Sequence, residues 1–268
     1  MFDTERYLAL VRSAGLPLGE PLSFRVVTDS TNDDALAAAR SGQAAGAVFV
    51  ADEQRRGRGR RGSEWHSTPG ASLTFSVLLR PNLAAERASG LSLVAGLAVR
   101  QVVASVLANV SPSNTVSVKW PNDVLLNGKK AAGILVESLV QGGTLTAVVV
   151  GLGLNVGRVV LPSDVEKRAT SLAEAGVTIG REELLVRLLA ELASRVTELT
   201  ARDRGEMLPK TLLSEFERHD ALRGLRVSVA GKTGLATGID AQGNLLVVDE
   251  REGRCAIPAG HVEILPTG

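Results

Sequence analysis

Apolar and polar positions alternate along this chain with two different periods, and the changes between them mark out its elements. Residues 4–14 place Tyr7, Leu8, Leu10 and Val11 at helical spacing, and the stretch from Leu22 to Val27 has the texture of a strand. A helix is expected from about Asn32, capped by Ser30 or Thr31, running through Ala-rich sequence to Arg40 and ending at Gly42. Ala47 to Ala51 is a short apolar strand. Residues 52–70 then break every period. They are polar, hold five arginines and several glycines, and predict a long loop, which is uncommon inside a compact domain unless it has a function.

Strand character returns from Ser72 to Leu79. The stretch from Leu91 to Leu107 is apolar on nearly every side (Leu91, Val94, Leu97, Val99, Val102, Val103, Val106), as expected of a buried helix. Val116 to Trp120, Val124 to Leu126 and Ile134 to Val140 read as strands, with Asn127-Gly128 supplying the two-residue turn that hairpins prefer. After Gly142-Gly143, the run from Thr144 to Val150 forms another strand ending in Gly151-Leu-Gly-Leu-Asn155, and such tight turns imply antiparallel pairing. Helices follow from Arg181 to Leu199, with Leu184, Leu185, Leu188, Leu189, Leu192, Val196 and Leu199 on one face, and from Leu208 to His219. From Leu225 the texture changes to short alternating strands (Leu225 to Val229, Leu235 to Ile239, Leu245 to Val248, Cys255 to Ile257) separated by Gly-Lys, Ala-Gln-Gly-Asn and Glu-Gly turns, the pattern of a small β-barrel. The boundary falls near Arg223-Gly224, dividing residues 1–222 from 223–268.

Composition narrows the picture. The 268 residues suffice for one substantial domain with a small appendage, and 44% apolar with 22% charged residues is an ordinary globular balance. A net charge of +1 gives no global drive towards nucleic acid or anionic lipid, so any electrostatic function is local. The first residues mix charges through their apolar positions, as neither a signal peptide nor a membrane span does, and predict a cytoplasmic protein. One cysteine, Cys255, cannot form an internal disulfide, and His66, His219 and His261 offer no zinc spacing.

The segment from Gln54 to Gly62 contains a literal G-x-G-x-x-G at Gly57, Gly59 and Gly62, but a dinucleotide fingerprint needs a helix at the third glycine and an acidic residue ending the next strand. Here proline and glycine follow, and the next strand ends at Arg80. A solvated basic loop, or one that grips nucleic acid, does not explain a position between two strands. Crowded guanidiniums repel by roughly 4 kcal/mol for a pair 4 Å apart at an effective dielectric of 20, so the cluster implies anions supplied by a ligand. Closely spaced glycines bring backbone N–H groups towards phosphate or carboxylate, and arginine adds bidentate contacts.

Five motifs carry a resemblance. Thr28-Asp-Ser-Thr-Asn32, Gln54 with Gly57-Arg-Gly-Arg-Arg-Gly62 and Trp65, Lys119-Trp-Pro-Asn-Asp123, Lys130-Ala-Ala-Gly-Ile-Leu-Val-Glu137 and Gly151-Leu-Gly-Leu-Asn155 stand in the order and at the distances of biotin protein ligases. The chain resembles this family over residues 22 to 265. The resemblance implies an α+β fold: a mixed, mainly antiparallel sheet with helices on one face, class II synthetase-like, then a small SH3-like barrel. It implies a biotin- and ATP-binding catalytic domain over residues 1–222 and the barrel over 223–268, where it would help hold ATP or the acceptor. The activity implied is activation of biotin with ATP to biotinyl-5'-AMP, then transfer to one lysine of a biotin carboxyl carrier protein of the acetyl-CoA carboxylase type.

The resemblance also assigns residues. Ser30, Thr31, Asn32 and Gln54 would hydrogen-bond the ureido ring, and a neutral urea needs such neutral donors and acceptors; Ser30 and Thr31 could equally cap the helix, and Gln54 could merely be solvated. Arg58, Gly59 and Arg60 would wrap biotin's carboxylate and the α-phosphate, with Lys130 completing the grip, although by itself Lys130 reads like its exposed neighbour Lys129. Lys119, Asn122 and Asp123 would lie near the phosphates and Mg²⁺, with Asp123 as metal ligand; a strand-ending turn with a salt bridge is the alternative. Arg60, Lys119 and Lys130 would be the catalytic cations. Gly133, Ile134, Gly151, Gly153 and Asn155 resemble the family's adenine and biotin-tail contacts, though Gly-x-Gly-x-Asn alone reads as a turn. Trp65 would pack over the adenylate or simply anchor its loop.

Two departures from the family pattern stand out: Ser63 where an arginine is common, which removes one phosphate contact, and Arg56 where a small residue is usual. A winged DNA-binding domain would need roughly 55–65 residues ahead of Leu22, so no operator binding is expected. No membrane partner is expected, and a homodimer stays open beside a monomer. A lipoate or octanoate ligase or transferase of the same superfamily is the enzymatic rival, disfavoured by the arginine-rich loop and by Cys255 lying in the barrel. A basic-loop nucleic-acid module is the rival of another class, and it would bind salt-sensitively without ATP.

Overall fold

The computed structural model describes residues 1–108, 110, 113–201, 207–249 and 253–266. Helix α1 (Thr4–Ala14) starts where the Asp3 carboxylate accepts from the Arg6 amide at 2.9 Å, and stops where Gly15 turns left-handed at φ 59°. Strand β1 (Leu22–Thr28), helix α2 (Thr31–Arg40) and strand β2 (Val48–Gln54) form a crossover, so β1 and β2 pair in parallel. Strand β3 (Ser72–Leu79) and helix α3 (Gly90–Ala108) follow. Then come β4 (Val116–Lys119), β5 (Asp123–Leu126), β6 (Lys129–Gln141) and β7 (Thr144–Asn155), all antiparallel to their neighbours. The seven strands lie in the order β1-β2-β3-β7-β6-β5-β4. Asn127 and Gly128, both at positive φ, make the predicted two-residue turn between β5 and β6.

Strand alternation divides this sheet into two unlike faces. Val48, Val50, Leu73, Phe75, Val77, Ala132, Ile134, Val148, Val150, Leu152 and Leu154 point into the main core, where α1, α3 and α5 (Arg181–Thr200) cover them. Helix α3 is long and apolar enough to cross a membrane, but 13 of its 19 residues are buried, so its hydrophobicity serves this core. Each fully buried Leu or Val stabilises by about 1.5–3 kcal/mol. The opposite face carries a small apolar cluster under α2 (Ala35, Leu36, Ala39 against Ala47, Phe49, Leu78, Ala147 and Val149). The α+β class and mixed sheet agree with expectation, and helices on one face describes α1, α3 and α5. Helix α2 is the exception: its Ala-rich stripe packs on the other side, beside a surface that turns polar and glycine-rich.

After the short helix α4 (Ser163–Glu166), α5 and α6 (Lys210–His219), the chain forms an antiparallel five-stranded sheet. Its strands β8 (Arg226–Val229), β9 (Lys232–Ile239), β10 (Leu245–Asp249), β11 (Gly253–Ile257) and β12 (Val262–Ile264) run in the order β11-β10-β9-β8-β12. The expected Glu252-Gly253 turn lies partly outside the described residues. Strand β12 was not expected, since three residues after a proline-glycine stretch are too few to show a period. This sheet shares the main core, and Trp120, 2% exposed, donates its indole N–H to Gly243 O at 2.9 Å.

Candidate functional site

The expected long loop is a hairpin. Trp65 N donates to Gly57 O at 2.9 Å and Gly59 N to Ser63 O at 2.7 Å, Arg58 bridges Glu64, and residues Arg60–Gly62 make the turn at the tip, with Arg61 and Gly62 at positive φ. A Cβ at Gly57 would collide with Trp65 O, and one at Gly59 with the Ser63 hydroxyl. These glycines therefore serve close pairing, and the Gly59 amide is spent on the hairpin in this conformation. Ser63 closes the tip through its hydroxyl, which donates to Arg60 O at 2.8 Å. Arg56 also gains an account: at the hairpin base its guanidinium pairs with Asp29, whose carboxyl it holds below the ordinary carboxylate range, and its amide donates to Asp29 O at 3.0 Å.

The hairpin lies over the polar face of the large sheet. In register there are Thr74 and Ser76 on β3, Gly151 and Gly153 on β7, and Gly133 and Leu135 on β6. The glycines form a floor. A Cβ on Gly151 would strike the Asn32 amide, one on Gly153 would strike the Trp65 indole, and one on Gly133 would press against Lys130 and Trp65. Gly151 to Asn155 is thus the end of β7, not a turn, and its glycines are spaced by strand periodicity. A cleft of about 650 Å³ separates the hairpin from Leu135 and Glu137, and another of about 370 Å³ lies between the outer side of the hairpin and Val160 to Pro162.

At the start of α2 the polar side chains are packed inward. Ser30 is the N-cap residue by position but makes no side-chain cap bond, which corrects that expectation: Gln54 Oε1 accepts from the Thr31 amide at 2.8 Å instead. Thr31 Oγ1, Ser76 Oγ and Asn32 Oδ1 form a chain with 2.7 and 2.6 Å spacings, all on residues under 5% exposed. Gln54 is fixed further by Ser67, whose hydroxyl accepts its amide at 2.9 Å. Below it, Asp52 and Arg181 make a buried ion pair at 2.7 Å that ties α5 to the end of β2.

The cations meet at the other end of the face. Lys130 Nζ lies 2.7 Å from Asp123 Oδ1 and 5.8 Å from the Trp65 ring centroid. Lys119, cross-strand partner of Asp123, has its ammonium pKa lowered chiefly by burial; Asp123 opposes the shift, while Lys130 and Arg168 add to it. Arg60, half-buried at the hairpin tip, is likewise lowered by burial and by Arg61, against the pull of Asp123. Arg60, Lys119 and Lys130 thus gather about one carboxylate, with Arg168 near enough to Lys119 to repel it. Arg58 does not join them: its guanidinium pairs with Asp33 and Glu137, each at 2.7 Å.

Arg168, Ser76 and Glu137 have no expected role from sequence. Arg168 sits in a segment without periodicity, delivered by the bond from Lys130 N to Arg168 O at 2.8 Å. Ser76 had a signal in the polar alternation of Ser72, Thr74 and Ser76 within an apolar strand.

Three further residues fill in the site. Asn122 is tied to β6, donating from Nδ2 to Ile134 O at 2.8 Å and accepting the Ile134 amide at 2.9 Å. Asn155, 3% exposed, donates from Nδ2 to Thr170 O at 3.0 Å. A carbonyl only accepts, so the amide's orientation is fixed and Oδ1 is a buried acceptor with no partner among the described residues. The Trp65 indole N–H is also buried without a partner among them.

Residues 24–155 match the biotin/lipoate A/B protein ligase family. The biotin–[acetyl-CoA-carboxylase] ligase of Mycobacterium tuberculosis is 40% identical over 226 residues, covering 81% of this chain and 79% of the relative. The enzyme of that name from Paracoccus denitrificans is 36% identical over 239 residues, covering 88% and 97%. The Aquifex aeolicus biotin protein ligase, solved with biotin and ATP, superposes with a TM-score of 0.77 at 29% identity over 93% of this chain and 100% of that one.

Proposed function

The chain belongs to the biotin/lipoate A/B protein ligase family, and from that premise we propose that its polar sheet face activates biotin with ATP and passes it to a carrier lysine. The observation that carries this reading is the charge imbalance: Lys130 pairs with Asp123, Lys119 lies across the strands from it and Arg60 is drawn to it, so three cations face one carboxylate, a state that a pair of anionic substrates would relieve. A biotin carboxylate oxygen attacks the α-phosphorus of ATP, the bond to the β-phosphate oxygen breaks, and pyrophosphate leaves. Arg60, Lys119 and Lys130 offset the repulsion between the reactants and the charge that spreads during displacement. The resulting mixed anhydride is attacked at its acyl carbon by the acceptor amine, which loses a proton as the amide forms and AMP departs. The acceptor is a lysine of a biotin carboxyl carrier protein, in line with the names of the relatives.

The substrates divide the face between them. The ureido ring is placed at Ser30, Thr31, Asn32 and Gln54, where donors and acceptors are neutral. We assign the tail and adenylate to the strip beside Gly133, Gly151 and Gly153, against the Trp65 indole that rests on Gly153. The free Asn155 Oδ1 suits the exocyclic amine of adenine, a donor. Asp123 and the unshared oxygen of Asn122 fit a Mg²⁺ held mainly by phosphates and water, since the described residues contain no cluster of three acidic, Cys or His ligands. When bound, that ion would neutralise the departing pyrophosphate. We assign this site to residues 1–222 and treat 223–268 as a unit buttressing it through Trp120.

Incubation with biotin, Mg²⁺ and α-labelled ATP should yield labelled biotinyl-AMP, with pyrophosphate released only when biotin is present. Adenylate formed with lipoate and not with biotin would overturn the substrate assignment.

A further inference from the structure

Glu137 projects from β6 onto the polar face and accepts three hydrogen bonds. Arg58 Nη1 donates to Oε1 at 3.0 Å, Arg58 Nη2 to Oε2 at 2.7 Å, and Asn32 Nδ2 to Oε2 at 2.7 Å. The Asn32 amide has no freedom left. Its Oδ1 accepts from Ser76 at 2.6 Å, whose single proton is committed there because an amide oxygen cannot donate, while the Thr31 hydroxyl donates to Gln54 Oε1 at 3.1 Å. Glu137 and the Leu135 carbonyl, which accepts from Asn32 Nδ2 at 3.3 Å, together fix which end of the amide faces which way, and Glu137 makes the shorter bond. On its other side it holds Arg58, the one residue of the tip, 58–62, whose side chain hydrogen-bonds to the rest of the protein among the described residues. With Asp33 also on Arg58 Nη2 at 2.7 Å, two carboxylates enclose one guanidinium, so this arginine has no uncompensated charge to offer an anion.

We propose that Glu137 is a positioning residue that couples the Asn32 amide to the arginine-glycine hairpin: one carboxylate both braces the urea-reading group and latches the hairpin over the sheet through Arg58. The Arg58 side chain then acts through Glu137, and the charge directed at the substrates comes from Arg60, Lys119 and Lys130. This rests on the biotin ligase reading only for what Asn32 recognises; the latch itself does not depend on the substrate.

The test is Glu137→Gln, with Glu137→Asp beside it, on the full chain. Gln keeps the size but loses the charge and offers one acceptor for three donors. Without any ligand, trypsin should cut the Arg56-Gly57, Arg58-Gly59 and Arg61-Gly62 bonds about tenfold faster in Glu137→Gln than in the unaltered chain, because the tip is no longer tied down. The KM for biotin should rise about tenfold while kcat at saturating biotin stays within about threefold, and Glu137→Asp should fall between on both readouts. Wild-type cleavage in Glu137→Gln would overturn the latch, and an unchanged KM would overturn the coupling to Asn32. Loss of kcat with unchanged KM would make Glu137 something other than a positioning group. If biotin supports no pyrophosphate release in the unaltered chain, the substrate assignment fails while the cleavage result still judges the latch.

Discussion

Gly153 and Leu154 are consecutive on β7 and point to opposite faces of one sheet. Leu154 enters a core of interlocking aliphatic side chains beneath α3, where every apolar atom removed from water adds stability. Gly153 faces a surface where bulk has been given up so that Trp65 can lie against the backbone, and where cations, amides and hydroxyls are packed with too few anions to balance them. One face is optimised for packing and the other is held in a state that a ligand would complete, and both depend on the same strands for their geometry. Trimming a core side chain should therefore be felt as lost stability, whereas adding an atom to the polar face should be felt as lost chemistry.

Leu154→Ala should cost about 2–5 kcal/mol in unfolding free energy, with turnover per folded molecule retained. Gly153→Ala should leave the denaturation midpoint nearly unchanged but lift Trp65 from its seat, lowering adenylate formation by roughly 10²-fold. Chemical denaturation and single-turnover adenylation separate the two; similar stability losses in both would show that the faces do not differ as described. A smaller effect sharpens the polar side. Burial lowers the pKa of Lys119, so this ammonium gives up its proton at a lower pH than an exposed lysine, and its grip on phosphate weakens correspondingly early on the alkaline side. Lys119→Arg keeps the charge and should move the alkaline limb of kcat/KM for ATP to higher pH. An alkaline limb left in place would remove Lys119 from phosphate binding.

Much of the core face was legible in the sequence, because period-2 and period-3.6 patterns are printed directly by burial. Ser72–Leu79 lies where the alternation placed it, α1 is bounded by Asp3 and Gly15, and Asn127-Gly128 turns as its residues demand. The polar face was legible only as residue types. Five motifs pointed to the right chemistry, yet spacing does not reveal that Gly57 and Gly59 pair with Trp65 and Ser63, since backbone bonds between small and polar residues leave no hydrophobic period. Nor could it place Arg168 beside Lys130, a contact made through backbone atoms that any residue possesses. Arg58 shows the same limit: its sequence neighbours suggest an anion receptor, while its spatial neighbours are two carboxylates.

Lys129 and Lys130 give the most direct test of the cationic site, because they are adjacent, chemically identical and differ only in where the strand points them. Lys129 is exposed, and Lys130 is turned in beside Asp123 and Trp65. The measurement is the single-turnover rate of labelled biotinyl-AMP formation in Lys129→Ala and Lys130→Ala. An unaltered rate is expected for the first and a loss of about 10²–10³-fold for the second; equal rates in the two variants would show that Lys130 does not serve the cationic site.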